Sequence, residues 1–214
     1  MQIRAIMPIK LKNERLPGKN IKLLGDKPLL QYELNTLLSI NLVDEVYVYC
    51  SDESVCQYLP KGTIFLKRSA DLDLPTSNFT QIFENFKSIV DADIYIYAHA
   101  TAPFVTKETV EECLNKVLYE GYDSAFCAAK IQDYLWQDGE PLNFNAENIP
   151  RSQDLKPIYR ETSGIYIFKK EVFTKYKRRI GQKPYIKEVS IKEAVDINNP
   201  EDFALAESLL NSKF

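Results

Sequence analysis

The chain has 214 residues, 45% hydrophobic and 27% charged, with a formal net charge of −3. This is ordinary globular composition; the length suits one domain, able to bury most of its apolar surface without disulfides. The slightly acidic balance argues against a broad nucleic-acid surface, no stretch reaches the roughly 20 apolar residues of a membrane span, and the short apolar start gives way to charge too soon for a signal peptide.

Taken in chain order, residues 3–7 form the first strand-like run. The loop 8–20, "PIKLKNERLPGKN", follows directly and carries Lys10, Lys12, Arg15 and Lys19 against the single acid Glu14. After Pro28, Leu30, Leu34, Leu37 and Leu38 recur at helical spacing. Strands are expected at 45–50 and 63–66, then a helix with Phe79, Ile82, Phe83, Phe86, Ile89 and Val90 on one stripe. A strand at 94–98 precedes a helix marked by Val110, Leu114, Val117 and Leu118 that stops near Gly121. Further strands are expected at 124–129, 164–169 and 185–189, rich in Ile, Val, Tyr and Phe. Asp138-Gly139, flanked by apolar and aromatic residues, signals a hairpin. Asn199-Pro200-Glu201-Asp202 reads as a cap, a first-turn proline and two acids opening the last helix.

Strands alternating with helices predict a doubly wound α/β domain with a mostly parallel sheet, spanning 1–214, and a small hairpin insertion protruding at 131–160. Ligands in this architecture gather at the carboxyl ends of the strands. The loops 8–20, 51–52 and 99–103 are therefore where chemistry is expected. The four cysteines (Cys50, Cys56, Cys113, Cys127) show no CxxC spacing, and three lie in apolar elements. That favours free thiols in a reducing cytoplasm.

By itself the basic loop fits either a solvated segment or an anion site; its place after the first strand favours the anion site. Lys presents a compact charge to phosphate oxygens and Arg a planar donor fork. There is no GxGxxG and no GxxxxGK[ST], which weakens the case for dinucleotide oxidoreductases and P-loop NTPases.

Six segments in register carry a resemblance across essentially the whole chain. "MPIKLKNERLPGKNIKLLGDKPLL" resembles the opening of the cytidylyltransferases that activate acidic sugars, with L-P-x-K-N and G-K-P-L. "VYVYCSDES" resembles the family's strand followed by S/T-D, and "KRSADL" its R-P-x-x-L. "HATAPF" sits at Q-P-T-S-P-L, "IPRSQDLKPIYRETSGIYIF" resembles P-R-Q-x-x-P-x-x-R-x-N-G-x-I-Y-I, and "EAVDINNPEDFALAE" resembles D-I-D-x-x-x-D-x-x-x-A-E. The chain is thus similar to the acylneuraminate and 3-deoxy-manno-octulosonate cytidylyltransferases, whose nucleotide-diphospho-sugar transferase fold is a Rossmann variant.

The resemblance implies transfer of CMP from CTP to an acidic sugar, releasing pyrophosphate, in surface-glycan assembly. Lys10, Arg15 and Lys19 would then offset charge on the triphosphate and transition state. Pro8, Ile9, Asn20, Ser51, Asp52, Arg68 and Thr101 would line the nucleotide; Asp52 fits equally as a helix cap. His99, Arg151, Gln153, Tyr159 and Arg160 would face the acceptor. Asp196 falls on the first acid of D-I-D, implying Mg²⁺, while the second acid is replaced by Asn198. His99 stands at a family Gln, and Val105 at a family Arg, which removes a cation from the acceptor side. The resemblance also implies a homodimer formed through the insertion. The open alternatives are the same reaction on another keto acid or a phosphonate, and a non-catalytic nucleotide-binding protein.

Overall fold

The computed structural model describes residues 1–212. In chain order the elements are β1 (Ile3–Ile9), β2 (Leu23–Leu24), β3 (Lys27–Pro28), α1 (Leu30–Leu38), β4 (Glu45–Cys50), β5 (Thr63–Lys67), α2 (Phe79–Ile89), β6 (Ile94–Ala98), α3 (Lys107–Tyr119) and β7 (Ser124–Ile131). They continue with β8 (Trp136–Gln137), β9 (Glu140–Pro141), β10 (Ile158–Lys169), α4 (Lys170–Tyr176), β11 (Pro184–Glu188) and α5 (Pro200–Asn211). Seven strands form one sheet in the order β11-β7-β10-β6-β1-β4-β5. β10 alone runs antiparallel to its neighbours β6 and β7; the other pairs are parallel. The doubly wound, mostly parallel sheet is as the alternation of elements predicts.

Both faces of the sheet are covered, so its central strands read as continuous apolar runs. Every residue of β6, Ile-Tyr-Ile-Tyr-Ala, is buried. On one face, Leu30, Leu34 and Leu37 of α1 and Val110, Cys113, Leu114 and Val117 of α3 pack on alternate residues of β1, β4 and β6. On the other, Phe83 and Phe86 of α2 join Tyr95, Phe168 and Phe173 in an aromatic cluster; the Phe83–Phe173 centroids lie 4.6 Å apart, edge to face. Truncating a ring as buried as Phe83 costs about 3–5 kcal/mol.

The chain leaves β1 toward β4 and β5 on one side, then returns to β6 on the other. The crevice at the carboxyl ends of β1 and β6 is the switch point where α/β sheets bind ligands. A third apolar cluster closes this end: Phe203 and Ala206 of α5 pack with Leu24, Leu29, Val195 and Ile197. Capping boxes start α2 at Asn78/Gln81 and α5 at Asn199/Asp202, the latter with Pro200 in the first turn. The expected hairpin is β8–β9, with Asp138 and Gly139 at positive φ. Sequence reasoning missed α4, the β2–β3 hairpin and the first half of β10. No described helix is long and apolar enough to cross a membrane.

Candidate active site

The loop after β1 is folded back on itself by local hydrogen bonds. Gly18 adopts φ +66°, a left-handed conformation that glycine enters without a Cβ penalty, and it starts the 3₁₀ turn Lys19–Ile21. Asn20, buried, donates from Nδ2 to the carbonyl of Lys10 at 2.9 Å and ties the two ends of the loop together. Lys10, Arg15 and Lys19 consequently share one cavity of about 390 Å³, with Asn13 and Asn198 also in its wall.

Lys19 is only 7% exposed, and its Nζ donates to the Ile197 carbonyl at 2.6 Å. Burial pushes its pKa down; the Asp196 carboxylate opposes this, and the Arg15 charge adds to the lowering. A cation in such a place gains from an anionic ligand.

The wall opposite comes from the segment before α5. Val195 and Ile197 are buried in the third cluster, and the alternating residues turn the other way, Asn198 into this cavity and Asp196 into a larger one beside it. Asn198 is held from three sides. Its Oδ1 accepts from Arg15 Nη2 at 2.8 Å, its Nδ2 donates to Asp196 Oδ2 at 2.8 Å, and its backbone N–H donates to Asp202 Oδ2 at 2.8 Å. Arg15 and Asn198 also line a larger cavity of about 980 Å³ with Asp196, Lys130 and Arg160. The Thr101 carbonyl accepts from the Ile197 N–H at 2.8 Å, which docks the loop after β6 onto this segment.

His99 follows β6. Its Nδ1 hydrogen-bonds to the Ser163 carbonyl; a carbonyl only accepts, so Nδ1 carries the proton and Nε2 remains an acceptor. Ser163 sits at φ +58° where the β10–β7 register shifts, a bulge that aims its carbonyl at the imidazole. Burial, then the charge of Arg179, pushes the His99 pKa down to about 4, so the ring is neutral near pH 7.

Of the remaining expected site residues, Ile9 is a core side chain, 1% exposed, so it can offer a ligand only its backbone; Pro8 precedes it in β1. Ser51 and Asp52 line a separate cavity of about 500 Å³ with Lys12. Asp52 accepts from Ser54 N at 2.9 Å and caps a 3₁₀ turn, the capping role the sequence left open. Arg68 is buried, its fork bound to Asp73 Oδ1 through Nη2 at 2.6 Å, and Ser51 Oγ donates to the other Asp73 oxygen at 2.5 Å. Arg68 Nη1 is buried without a partner among the described residues.

Tyr159 reaches Glu188 at 3.5 Å. Arg151, exposed, pairs with Asp154 at 2.7 Å, and Gln153 is exposed on the same 3₁₀ turn; neither lines the two cavities described. Val105 is 3% exposed and packs in the core, so position 105 does not face the cavity, contrary to the expectation that an acceptor-side cation is lost there. Asn13, Lys130 and Asp202 were missed. Asn13 Oδ1 is buried with no partner among the described residues, a feature that no sequence pattern signals.

Comparison with known proteins gives the family. A family model described as Cytidylyltransferase matches residues 4–213. The chain is 26% identical to the CMP-N,N'-diacetyllegionaminic acid synthase of Legionella pneumophila subsp. pneumophila, covering 98% of this chain and 97% of that protein. It is also 26% identical to N-acylneuraminate cytidylyltransferase A of Danio rerio, over 96% of this chain; it spans half the length of that relative. A solved CMP:2-keto-3-deoxy-manno-octonic acid synthetase complexed with CTP shares the fold, with a TM-score of 0.73, 17% identity and full coverage of both chains. The chain belongs to the cytidylyltransferase family.

Proposed function

We propose that the protein transfers CMP from CTP to an acidic 2-keto sugar. The acceptor hydroxyl oxygen gives up its proton to water and bonds to the α-phosphorus, the bond to the bridging oxygen of the β-phosphate breaks, and pyrophosphate leaves with that oxygen. The observation that carries this reading is the convergence of Lys10, Arg15 and the buried Lys19 on one cavity walled also by Asn198, with the Asp196 carboxylate close enough to act on the Lys19 charge. Phosphoryl transfer of this kind needs positioning and charge neutralisation more than covalent help, and three fixed cations provide both. Lys19 acts as the principal charge at the transferring phosphate. Arg15 and Lys10 hold the phosphate tail, and the wider cavity with Arg160 receives the acceptor.

No cluster of three or more His, Cys, Asp or Glu that could hold a metal occurs among the described residues. Mg²⁺ nevertheless takes one or two protein oxygens and fills its shell with phosphate oxygens and water, so Asp196 with Asn198 fits it. Those two residues would hold it, and it would neutralise charge on the phosphates. Ser51, Asp52, Arg68, Asn20, Thr101 and the backbone of Pro8 and Ile9 serve the nucleotide side, and His99 and Tyr159 the acceptor side.

The reading includes a homodimer through 131–160. Trp136, Leu142 and Ile149 are 59%, 53% and 62% exposed there, apolar area that a second copy would cover. Arg151 and Gln153, which line none of the cavities described on their own chain, then serve the partner's acceptor. The four free thiols suit a cytoplasmic setting.

The test is pyrophosphate release from CTP and Mg²⁺ with N-acetylneuraminate, N,N'-diacetyllegionaminate, 2-keto-3-deoxy-manno-octonate and a phosphonate. Release with one of the sugar acids is expected. Release only with the phosphonate would move the acceptor class. CTP binding without release under any condition would leave the non-catalytic reading, which the neutral Asn198 favours.

A further inference from the structure

Beyond the phosphate cluster, the end of α4 and the segment after it carry Lys175, Lys177, Arg178 and Arg179 in a five-residue span, and the proposed chemistry uses none of them. Two of these cations are already engaged: Lys177 Nζ meets Glu84 at 2.5 Å, and Arg178 Nη2 donates to the Gly181 carbonyl at 3.1 Å. Arg179 differs. Its side chain is 25% exposed, its guanidinium lies over the Tyr166 ring 3.5 Å from the centroid, and its one ion pair among the described residues is a loose 4.0 Å approach to Glu161. Planar stacking of this kind fixes the fork while leaving its edge free to donate. The edge borders a cavity of about 510 Å³ walled by Phe79, Thr80, Glu161 and Arg178.

The loop that carries Arg179 is rigidly placed. The Asp123 carboxylate accepts from Gln182 N at 2.6 Å and Lys183 N at 3.0 Å, and Ser124 Oγ accepts from Gly181 N at 2.8 Å. A Cβ at Gly181 would collide with that carboxylate.

His99 neighbours the ring on which Arg179 stacks. Its ring neighbours Tyr166 at 6.2 Å, and it feels the charge of Arg179 as well as those of Asp196 and Lys19. An acceptor whose reacting end sits in the wider cavity beside Asp196 and whose body reaches His99 brings its remote end toward Tyr166 and the Arg179 stacked on it.

We infer that Arg179 is a specificity-determining residue, donating to an oxygen-bearing substituent at the end of the sugar acid remote from its reacting hydroxyl, with Tyr166 and Glu161 holding the guanidinium in place. This deepens the proposed cytidylyl transfer and rests on it.

The experiment is steady-state kinetics of the full chain with CTP and the same three sugar acids, comparing wild type, Arg179→Ala, Arg179→Gln and Arg179→Lys. The expected result is an acceptor KM raised at least tenfold in Arg179→Ala and Arg179→Gln, partial recovery in Arg179→Lys, and a CTP KM within twofold of wild type. A purely structural Arg179 would lower the melting temperature and move both KM values together, and that result overturns the inference. So does an acceptor KM unchanged within twofold in Arg179→Gln, which keeps length and polarity should the alanine variant fail to fold. Absence of turnover by wild type with every sugar acid overturns the cytidylyl-transfer reading, and this inference with it; turnover with an unshifted acceptor KM overturns this inference alone.

Discussion

Arg15 Nη2 donates to Asn198 Oδ1 at 2.8 Å across 183 positions of sequence, so the amide that stands at the family's second acid is satisfied by a cation of the phosphate loop. A carboxylate at this position would offer a metal a second charged oxygen ligand. Here Asp202 is occupied in capping the Asn198 and Asn199 N–H groups, Asp196 is the carboxylate left to face a metal, and its Oδ2 already accepts from Asn198 Nδ2. Asn198→Asp should therefore strengthen divalent-cation binding, because a second carboxylate adds both charge and an oxygen ligand. We expect the Kd for Mn²⁺, measured by paramagnetic titration in the presence of CTP, to fall about tenfold, roughly 1.4 kcal/mol. An unchanged Kd would mean that Arg15 holds the new carboxylate and that the metal draws its ligands elsewhere.

Lys19→Ala is expected to cost about 2–4 kcal/mol of transition-state stabilisation, the scale of losing one oriented donor in a water-poor site. The loss should fall mainly on kcat, as Lys10 and Arg15 still hold the nucleotide. Lys19→Met keeps the apolar stem, and its melting temperature should stay near that of wild type. Rapid-quench turnover with saturating CTP gives the comparison; full activity in either variant contradicts the role given to Lys19.

Much of the framework was legible before any coordinates. The alternation of apolar runs fixed the class of fold, and Asn199-Pro200-Glu201-Asp202 marked the start of α5 because capping chemistry is local. Lys10, Arg15 and Lys19 were found by motif, and the structure brings them to one cavity. What escaped depends on tertiary packing. Val105 occupies a motif position yet packs in the core, since the direction of a loop side chain is set by what covers it. Arg179 lies in no recognised motif; its relation to His99 arises from the antiparallel insertion of β10 between β6 and β7. Arg151 and Gln153 match the motif but line none of the cavities described, and no single-chain pattern shows where they act.

Glu33 is a cost built into α1. Its residue is fully buried, neither carboxylate oxygen has a partner among the described residues, and burial pushes its pKa well above the ordinary carboxylate value. A carboxyl with a raised folded pKa binds its proton more tightly in the native state. Its stabilising contribution is therefore complete below the unfolded pKa and is lost as pH rises through the folded one. Glu33→Met, of similar shape and without a charge to desolvate, should raise the melting temperature, by about 1–3 kcal/mol in stability. The gain should be larger at pH 9 than at pH 5. Equal gains at both pH values would show that Glu33 does not titrate with folding.

His99 predicts the opposite dependence, at the acid end. Its folded pKa of about 4 lies below the ordinary 6.5, owing to burial and then to Arg179, with the Ser163 carbonyl and Asp196 opposing and Lys19 adding to the lowering. Between these two values the unfolded chain holds a proton that the native chain refuses, so stability rises with pH across that window and falls as pH drops through it. The shift corresponds to about 3 kcal/mol lost by pH 4. His99→Gln supplies a neutral side-chain N–H for the Ser163 carbonyl and cannot titrate. Urea denaturation of wild type and variant at pH 7 and at pH 4.5 isolates the effect. The difference in stability between the two proteins should move in favour of His99→Gln by about 2–3 kcal/mol on acidification. A difference that stays constant between the two pH values would place the imidazole in a setting where its proton is no dearer than in water.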